Sequence, residues 1–188
     1  VYEQRKKRKV KIKAMPTEDD IVTLQSINDY IDGKLAFIDY FRFSLKKYGK
    51  NISFRKAELS FDLNNDLELY KTKLLEVTKY ANMIPVISLK PECGFPKADL
   101  VNFVTKLQMK TTHIALRITE EWMDYTKDVI RNLRESDFLL FDVEEQNPEL
   151  KFMEIQELHD IHADCKLILL NSPRKLALRN GEYPEHAQ

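Results

Sequence analysis

Two hydrophobic periods take turns along this chain. Short apolar runs of strand length alternate with longer stretches in which apolar residues recur every third or fourth position, as in amphipathic helices. The first strand is expected at 9–14, where Val10, Ile12 and Ala14 alternate with Lys9, Lys11 and Lys13. A helix follows at 17–31, with Thr17 as N-cap and Glu18, Asp19 and Asp20 in its first turn, where carboxylates suit the positive helix end. Gly33 ends it, and 35–38 is a second strand. The alternating segment 57–63 (AELSFDL) is expected as a third. Asn65 is then the cap of a helix at 66–80, with Glu68 at the capping-box position and an apolar stripe of Leu67, Tyr70, Leu74 and Val77.

The fourth strand, 83–89 (MIPVISL), is apolar at nearly every position, as a strand covered on both faces must be. After a loop at 91–96 comes a helix at 98–108, a fifth strand at 113–118 (HIALRI), and a helix at 119–134 begun by Thr119. The sixth strand is 138–143 (FLLFDV). Asn147 and Pro148, a cap followed by proline at the first helical position, open a helix running to about 163. The seventh strand is 166–170 (KLILL). From the second strand onward, strands start about every 22 to 30 residues. That period with fully apolar strands requires parallel pairing through helical crossovers. The fold class is therefore α/β with a parallel sheet. Its closure is an incomplete or shortened TIM-like barrel, short by about one unit, with an open doubly wound sheet as the alternative. The expected organisation is a basic arm at 1–8, one β/α-repeat domain at 9–172 and a polar tail at 173–188.

Composition narrows the function classes. The 188 residues include 4 Gly and 2 Cys, too few for a glycine-rich phosphate cradle or a disulfide framework. No run is long and apolar enough to span a membrane, and no secretory signal is visible, so a cytoplasmic protein without membrane association is expected. The chain opens on Val1 rather than Met, as a processed product or a piece of a longer protein does. Thirty basic residues balance thirty acidic ones, which gives no global attraction to nucleic acid. Yet Arg5, Lys6, Lys7, Arg8, Lys9, Lys11 and Lys13 cluster. They fit a solvated arm and strand edge, with phosphate contact the other reading.

In either closure, ligands bind where the carboxyl ends of the strands gather. The polar residues there are Asp39 with Arg42 close by, Asp62, Lys90, Arg117, Asp142, Glu144, Asn171 and Arg174. Lys90, Arg117, Arg174 and Asn171 are the candidate ligand-binding residues for a phosphate or carboxylate. Asp142, Asp62 and Glu144 are the candidate catalytic acids or bases, and their oxygens suit Mg at most. Arg117 and Asp142 stand out, because an ionised group within an apolar strand is costly unless paired or functional. The plainer reading is that Asp142 pairs with Arg117, or that Asp142 and Asp62 cap the next helix. His159, His162 and Cys165 have three-residue spacing, but they fall at a helix C-terminus, at the end opposite the expected site. Phe37, Tyr40, Phe41 and Phe43 read as core rather than as a base-stacking platform.

The segments Ile84-Pro85-Val86-Ile87, Ile114-Ala115-Leu116-Arg117-Ile118-Thr119, Phe138-Leu139-Leu140-Phe141-Asp142-Val143 and Arg179-Asn180-Gly181-Glu182-Tyr183-Pro184 resemble the bacterial and phage Beta-protein family and its close relatives. The similarity runs over about 80–184, and the chain departs from the family at Gly181, where a larger residue is usual. The resemblance implies a TIM-like β/α architecture, a setting in mobile elements or phage defence, and no established reaction. Arg117, Asp142, Arg179, Asn180 and Tyr183 are the family-like polar positions. The leading functional expectation is binding of a phosphate-containing ligand or a nucleic-acid end at the carboxyl-end face. One alternative is a non-catalytic interaction module on a degenerate barrel, with a protein partner or a second copy on an exposed edge strand. A weaker one is a Schiff-base aldolase or dehydratase using Lys90.

Overall fold

The computed structural model describes residues 2–4, 11–13, 24–42, 54–89, 95–161 and 164–171. The chain divides into two units, Val1–Lys34 and Leu35–Gln188. In the first, β1 (Tyr2–Gln4) pairs antiparallel with β2 (Lys11–Lys13). Of the strand expected at 9–14, residues 11–13 form β2 in a two-stranded sheet of their own, and 9, 10 and 14 lie outside the described residues. Helix α1 covers Leu24–Ile31. Its end is a reversal in which Asp32 and Gly33 take positive φ (48° and 76°), which glycine adopts without strain and aspartate tolerates.

The second unit is a five-stranded parallel sheet of β3 (Ala36–Ile38), β4 (Met83–Ser88), β5 (Ala115–Ile118), β6 (Phe138–Asp142) and β7 (Lys166–Leu170). The strands lie side by side in chain order. That is the winding of a β/α barrel; a doubly wound sheet reverses its strand order at a switch point. Helix α2 is Phe54–Asn65 and α3 is Leu67–Val77. Helices α4 (Lys97–Gln108), α5 (Met123–Arg131) and α6 (Phe152–Ile161) fall between successive strands from β4 to β7. Short 3₁₀ turns, Glu120–Trp122 and Pro148–Lys151, lead into the last two.

One expected strand is a helix. Segment 57–63 lies in α2, and Asp62 with it. Its period-two alternation also contains Leu59 and Leu63 at helical i,i+4 spacing, and Ala57, Glu58 and Leu59 are strong helix formers. Leu63 is buried while Leu59, one turn earlier on the same face, is exposed, so the helix meets the core only toward its C-terminal end. The cap of α3 also moves by one residue: the Asp66 carboxylate accepts from the Leu69 N–H at 2.9 Å, and Asn65 instead donates to the Phe61 carbonyl. Thr119 makes no capping bond, while Asn147 accepts from Glu149 N–H at 3.1 Å as expected of a cap.

Side chains alternate across the sheet and build two apolar layers. Ile87, Leu89, Leu116, Ile118, Leu139 and Phe141 face the helices and pack with Tyr70, Leu74, Leu100, Leu107, Val129, Ile130 and Leu158. Ile84, Val86, Ala115, Phe138 and Leu140 form the other layer, with Ile168 and Leu170 against it. This second face is the inside of a curl. Phe37 on β3 and Phe138 on β6 meet edge to face with ring centroids 5.0 Å apart. Three strand spacings in a flat sheet put them about 14 Å apart. The sheet is a half-barrel, and its concave face closes on aromatic side chains.

The amino end of the sheet is tied by Asp137, whose side chain is fully buried. Its carboxylate accepts from the Ile114 N–H (3.1 Å), the Arg134 N–H (2.8 Å), the Gln108 amide (2.8 Å) and the Arg134 guanidinium (2.9 and 3.1 Å). That guanidinium also donates to the carbonyls of Gln108, Thr111 and Thr112. Burial pushes the Asp137 carboxyl up, but these bonds outweigh it and hold it below the ordinary carboxylate value. A depressed folded value stabilises the protein above the ordinary carboxylate range and loses that stabilisation as pH falls through it. Asp137→Asn is expected to cost about 3 kcal/mol in urea unfolding at pH 7. The difference from the parent chain should shrink below about pH 4. A loss independent of pH contradicts this assignment.

Candidate ligand-binding site

The polar residues of the concave face follow from strand parity. Positions 84, 86 and 88 of β4 share a face, as do 115 and 117 of β5 and 138, 140 and 142 of β6. The first members of each set are apolar and the last, at the carboxyl end, are Ser88, Arg117 and Asp142. Asp39, next after β3, shares the parity of Phe37. Side chains from four consecutive strands therefore converge on one rim.

Arg117 is the hub. Its Nε donates to Asp142 Oδ2 at 3.0 Å and a terminal nitrogen donates to the same oxygen. The other terminal nitrogen donates to Asp39 Oδ2. Ser88 Oγ donates to Asp39 Oδ1 at 2.7 Å, and Asp142 Oδ1 accepts from the Glu144 N–H at 2.9 Å. Burial alone lowers the affinity of the guanidinium for its proton, but the two carboxylates more than offset that, so Arg117 stays charged. The two carboxylates differ in depth: the Asp142 side chain is 3% exposed and the Asp39 side chain 24%.

A second device supports the rim. The pairing of β3 with β4 ends at Ile38 and Pro85, which leaves the later backbone groups on that side of β4 without a strand partner. The Tyr70 hydroxyl donates to Val86 O (3.2 Å) and accepts from Ser88 N–H (3.0 Å), and Arg42 donates to Ser88 O. The Arg42 guanidinium stacks on the Tyr70 ring, 3.7 Å from its centroid. Two side chains thus stand in for the missing length of strand and fix Ser88.

The remaining sequence-derived candidates scatter. Lys90 and Arg174 lie outside the described residues, as do Phe43, Cys93, His162, Arg179, Asn180 and Tyr183. Asp62 is exposed on α2 and takes no part in the cluster. Glu144 touches it through its backbone only, at a positive φ of 54°, and its side chain is exposed. Asn171 is exposed just after β7. His159 is exposed, and the buried Cys165 thiol is pushed up by burial. Among the described residues, no group of three or more His, Cys, Asp or Glu is placed to hold a metal ion. Both Asp142 oxygens are already engaged, which disfavours the Mg reading there. Ser88 and Tyr70 were the residues missed. Ser88 is the polar break in an apolar strand, and Tyr70 is the member of an apolar stripe whose hydroxyl needs a partner when buried.

Beside the cluster runs an open groove of about 600 Å³ whose walls carry Glu120, Glu121, Glu144, Glu154 and Glu157. The ammonium of Lys151 is held there between Glu120 and Glu154. The groove is therefore an acidic surface beside the rim. No helix among the described residues is long and apolar enough to cross a membrane. Comparison of the chain with protein-family models, curated proteins and solved structures returns no match. Fold and site together define a parallel β/α half-barrel with a charged, hydrogen-bonded rim.

The Arg117–Asp142 pair is expected to behave as a coupled unit. Arg117→Met should cost about 3–5 kcal/mol in urea unfolding by stranding a buried carboxylate. Adding Asp142→Asn, which keeps an acceptor for Glu144 N–H, should recover at least about 1.5 kcal/mol of that loss. Additive losses contradict the pairing. Tyr70→Phe should cost about 1–2 kcal/mol, since it leaves two buried backbone groups of β4 unpaired.

Proposed function

We propose that this chain binds a phosphate-containing ligand, either a small molecule or a nucleic-acid end, at the carboxyl-end rim of its half-barrel. The observation that carries the reading is the unequal pairing of Arg117. Buried Asp142 fixes the guanidinium in place, and the more exposed Asp39 occupies its outer edge, where a planar bidentate contact to an oxyanion would form. In this reading Asp39 is the internal anion that a ligand displaces, and Ser88 retains it after displacement. The two carboxylates and the Arg117 guanidinium sum to −1, and the Arg42 guanidinium on the Ser88 carbonyl brings the rim to zero. The attraction for a phosphate therefore rests on Lys90, two residues after β4, and Arg174, four residues after β7. The wider setting in phage defence or mobile elements is part of the same proposal and rests on the sequence resemblance alone.

Isothermal titration with pyrophosphate, a nucleoside monophosphate and a 5′-phosphorylated oligonucleotide tests it. Asp39→Asn removes the competing carboxylate and is expected to tighten binding about tenfold, a gain of about 1.4 kcal/mol. Lys90→Ala and Arg174→Ala are expected to weaken it. Absence of heat with all three probes, for both the parent chain and Asp39→Asn, contradicts the proposal.

A further inference from the structure

The surface at the start of α6 is built differently from the rest of the second unit. Leu150, Phe152 and Met153 are consecutive outward positions and are 77%, 68% and 75% exposed. Solvated single apolar residues are ordinary, but three large ones side by side mark a contact surface. Their inward neighbours account for the geometry. Lys151 and Leu158 are buried and Ile155 packs on the core, so the helix has spent its apolar face and still carries an apolar patch on the other side.

The chain around the patch is mostly acidic, although Arg131, paired with Asp128, lines the same hollow as Met153. Glu144, Glu145 and Glu149 are exposed and have no ion-pair partner among the described residues. Lys151, the single Lys or Arg between 144 and 161, is buried with its ammonium committed to Glu120 and Glu154. An apolar centre with unpaired carboxylates around it is complementary to a segment in which apolar residues alternate with lysine or arginine. This chain contains such a segment. Lys9, Lys11 and Lys13 alternate with Val10, Ile12 and Ala14, preceded by Arg5, Lys6, Lys7 and Arg8. In a chain whose net charge is zero, the basic cluster at 5–13 and the acidic patch carry opposite local excesses of charge.

We infer that the Leu150–Phe152–Met153 surface is a docking site for a second copy of this chain, whose basic residues 5–13 bind across it. The contact joins two different surfaces, so it is heterologous and propagates head to tail unless it closes into a ring. It is separate from the Arg117 rim and independent of any ligand there.

Light scattering and sedimentation of the full chain test it. Self-association is expected at low ionic strength, and it should weaken at least tenfold in 0.5 M salt, where screening reaches down to a few ångströms. Glu145→Lys with Glu149→Lys should abolish it, as should Phe152→Ser with Met153→Ser. These four positions are exposed, so thermal unfolding should be unchanged. Replacing Arg5, Lys6, Lys7 and Arg8 by Ser should also abolish it. The decisive arm mixes the charge-reversed patch variant with the arm variant: each retains one intact half, and the mixture should form a one-to-one complex. A monomer at every salt concentration overturns the inference. So does a mixture that fails to associate, which would place the basic segment on its own chain or on another partner. Association that ignores the patch variants overturns it as well.

Discussion

A guanidinium inside an apolar curl is the constraint around which the second unit is arranged. Arg117 sits on the concave face of a sheet whose lower positions are Val86, Ala115, Phe138 and Leu140. An unpaired charge there is prohibitively costly, so the fold must deliver carboxylates to it from either side. Asp142 arrives by register, from the end of the neighbouring strand. Asp39 arrives from the end of β3, two strands away from β5, on the same face of the sheet. Register and the charge pairing are therefore a single condition: a one-residue slip of β6 turns Asp142 toward the helices.

The two ends of the sheet are built on different principles. At the amino end, Asp137 is saturated by backbone and side-chain donors, and Arg134 ties together the turns that lead into β5 and β6. Such a saturated group stabilises and leaves nothing for a ligand. At the carboxyl end the charges are shallower on one side and bordered by an open acidic groove. That contrast agrees with the general tendency of β/α folds to place stability at one end and recognition at the other.

Much of this was legible in the order of residues. Fully apolar runs such as MIPVIS required a sheet covered on both faces, and the spacing of the runs required parallel crossovers. Arg117 and Asp142 could be singled out because a charge in an apolar strand needs a reason. Strand parity, applied to Ser88 and Asp39, had the information to add them. Other features were hidden. The alternation in AELSFDL is compatible with helix and strand alike, and only the packing of Leu63 decides between them. The function of Tyr70 as a substitute strand partner depends on β3 ending at Ile38, which no local pattern announces. Asp137 reads as an ordinary turn residue before β6, because its donors come from positions 108, 114 and 134.

The central claim, a parallel sheet curled until its first and fourth strands meet, is tested most directly by nuclear Overhauser contacts between the Phe37 and Phe138 rings in specifically labelled protein. A strong contact is predicted, since the ring centroids stand 5.0 Å apart. Two assigned rings without any such contact would show a flat or differently ordered sheet, with a separation near 14 Å, and the Arg117 rim would lose its geometry.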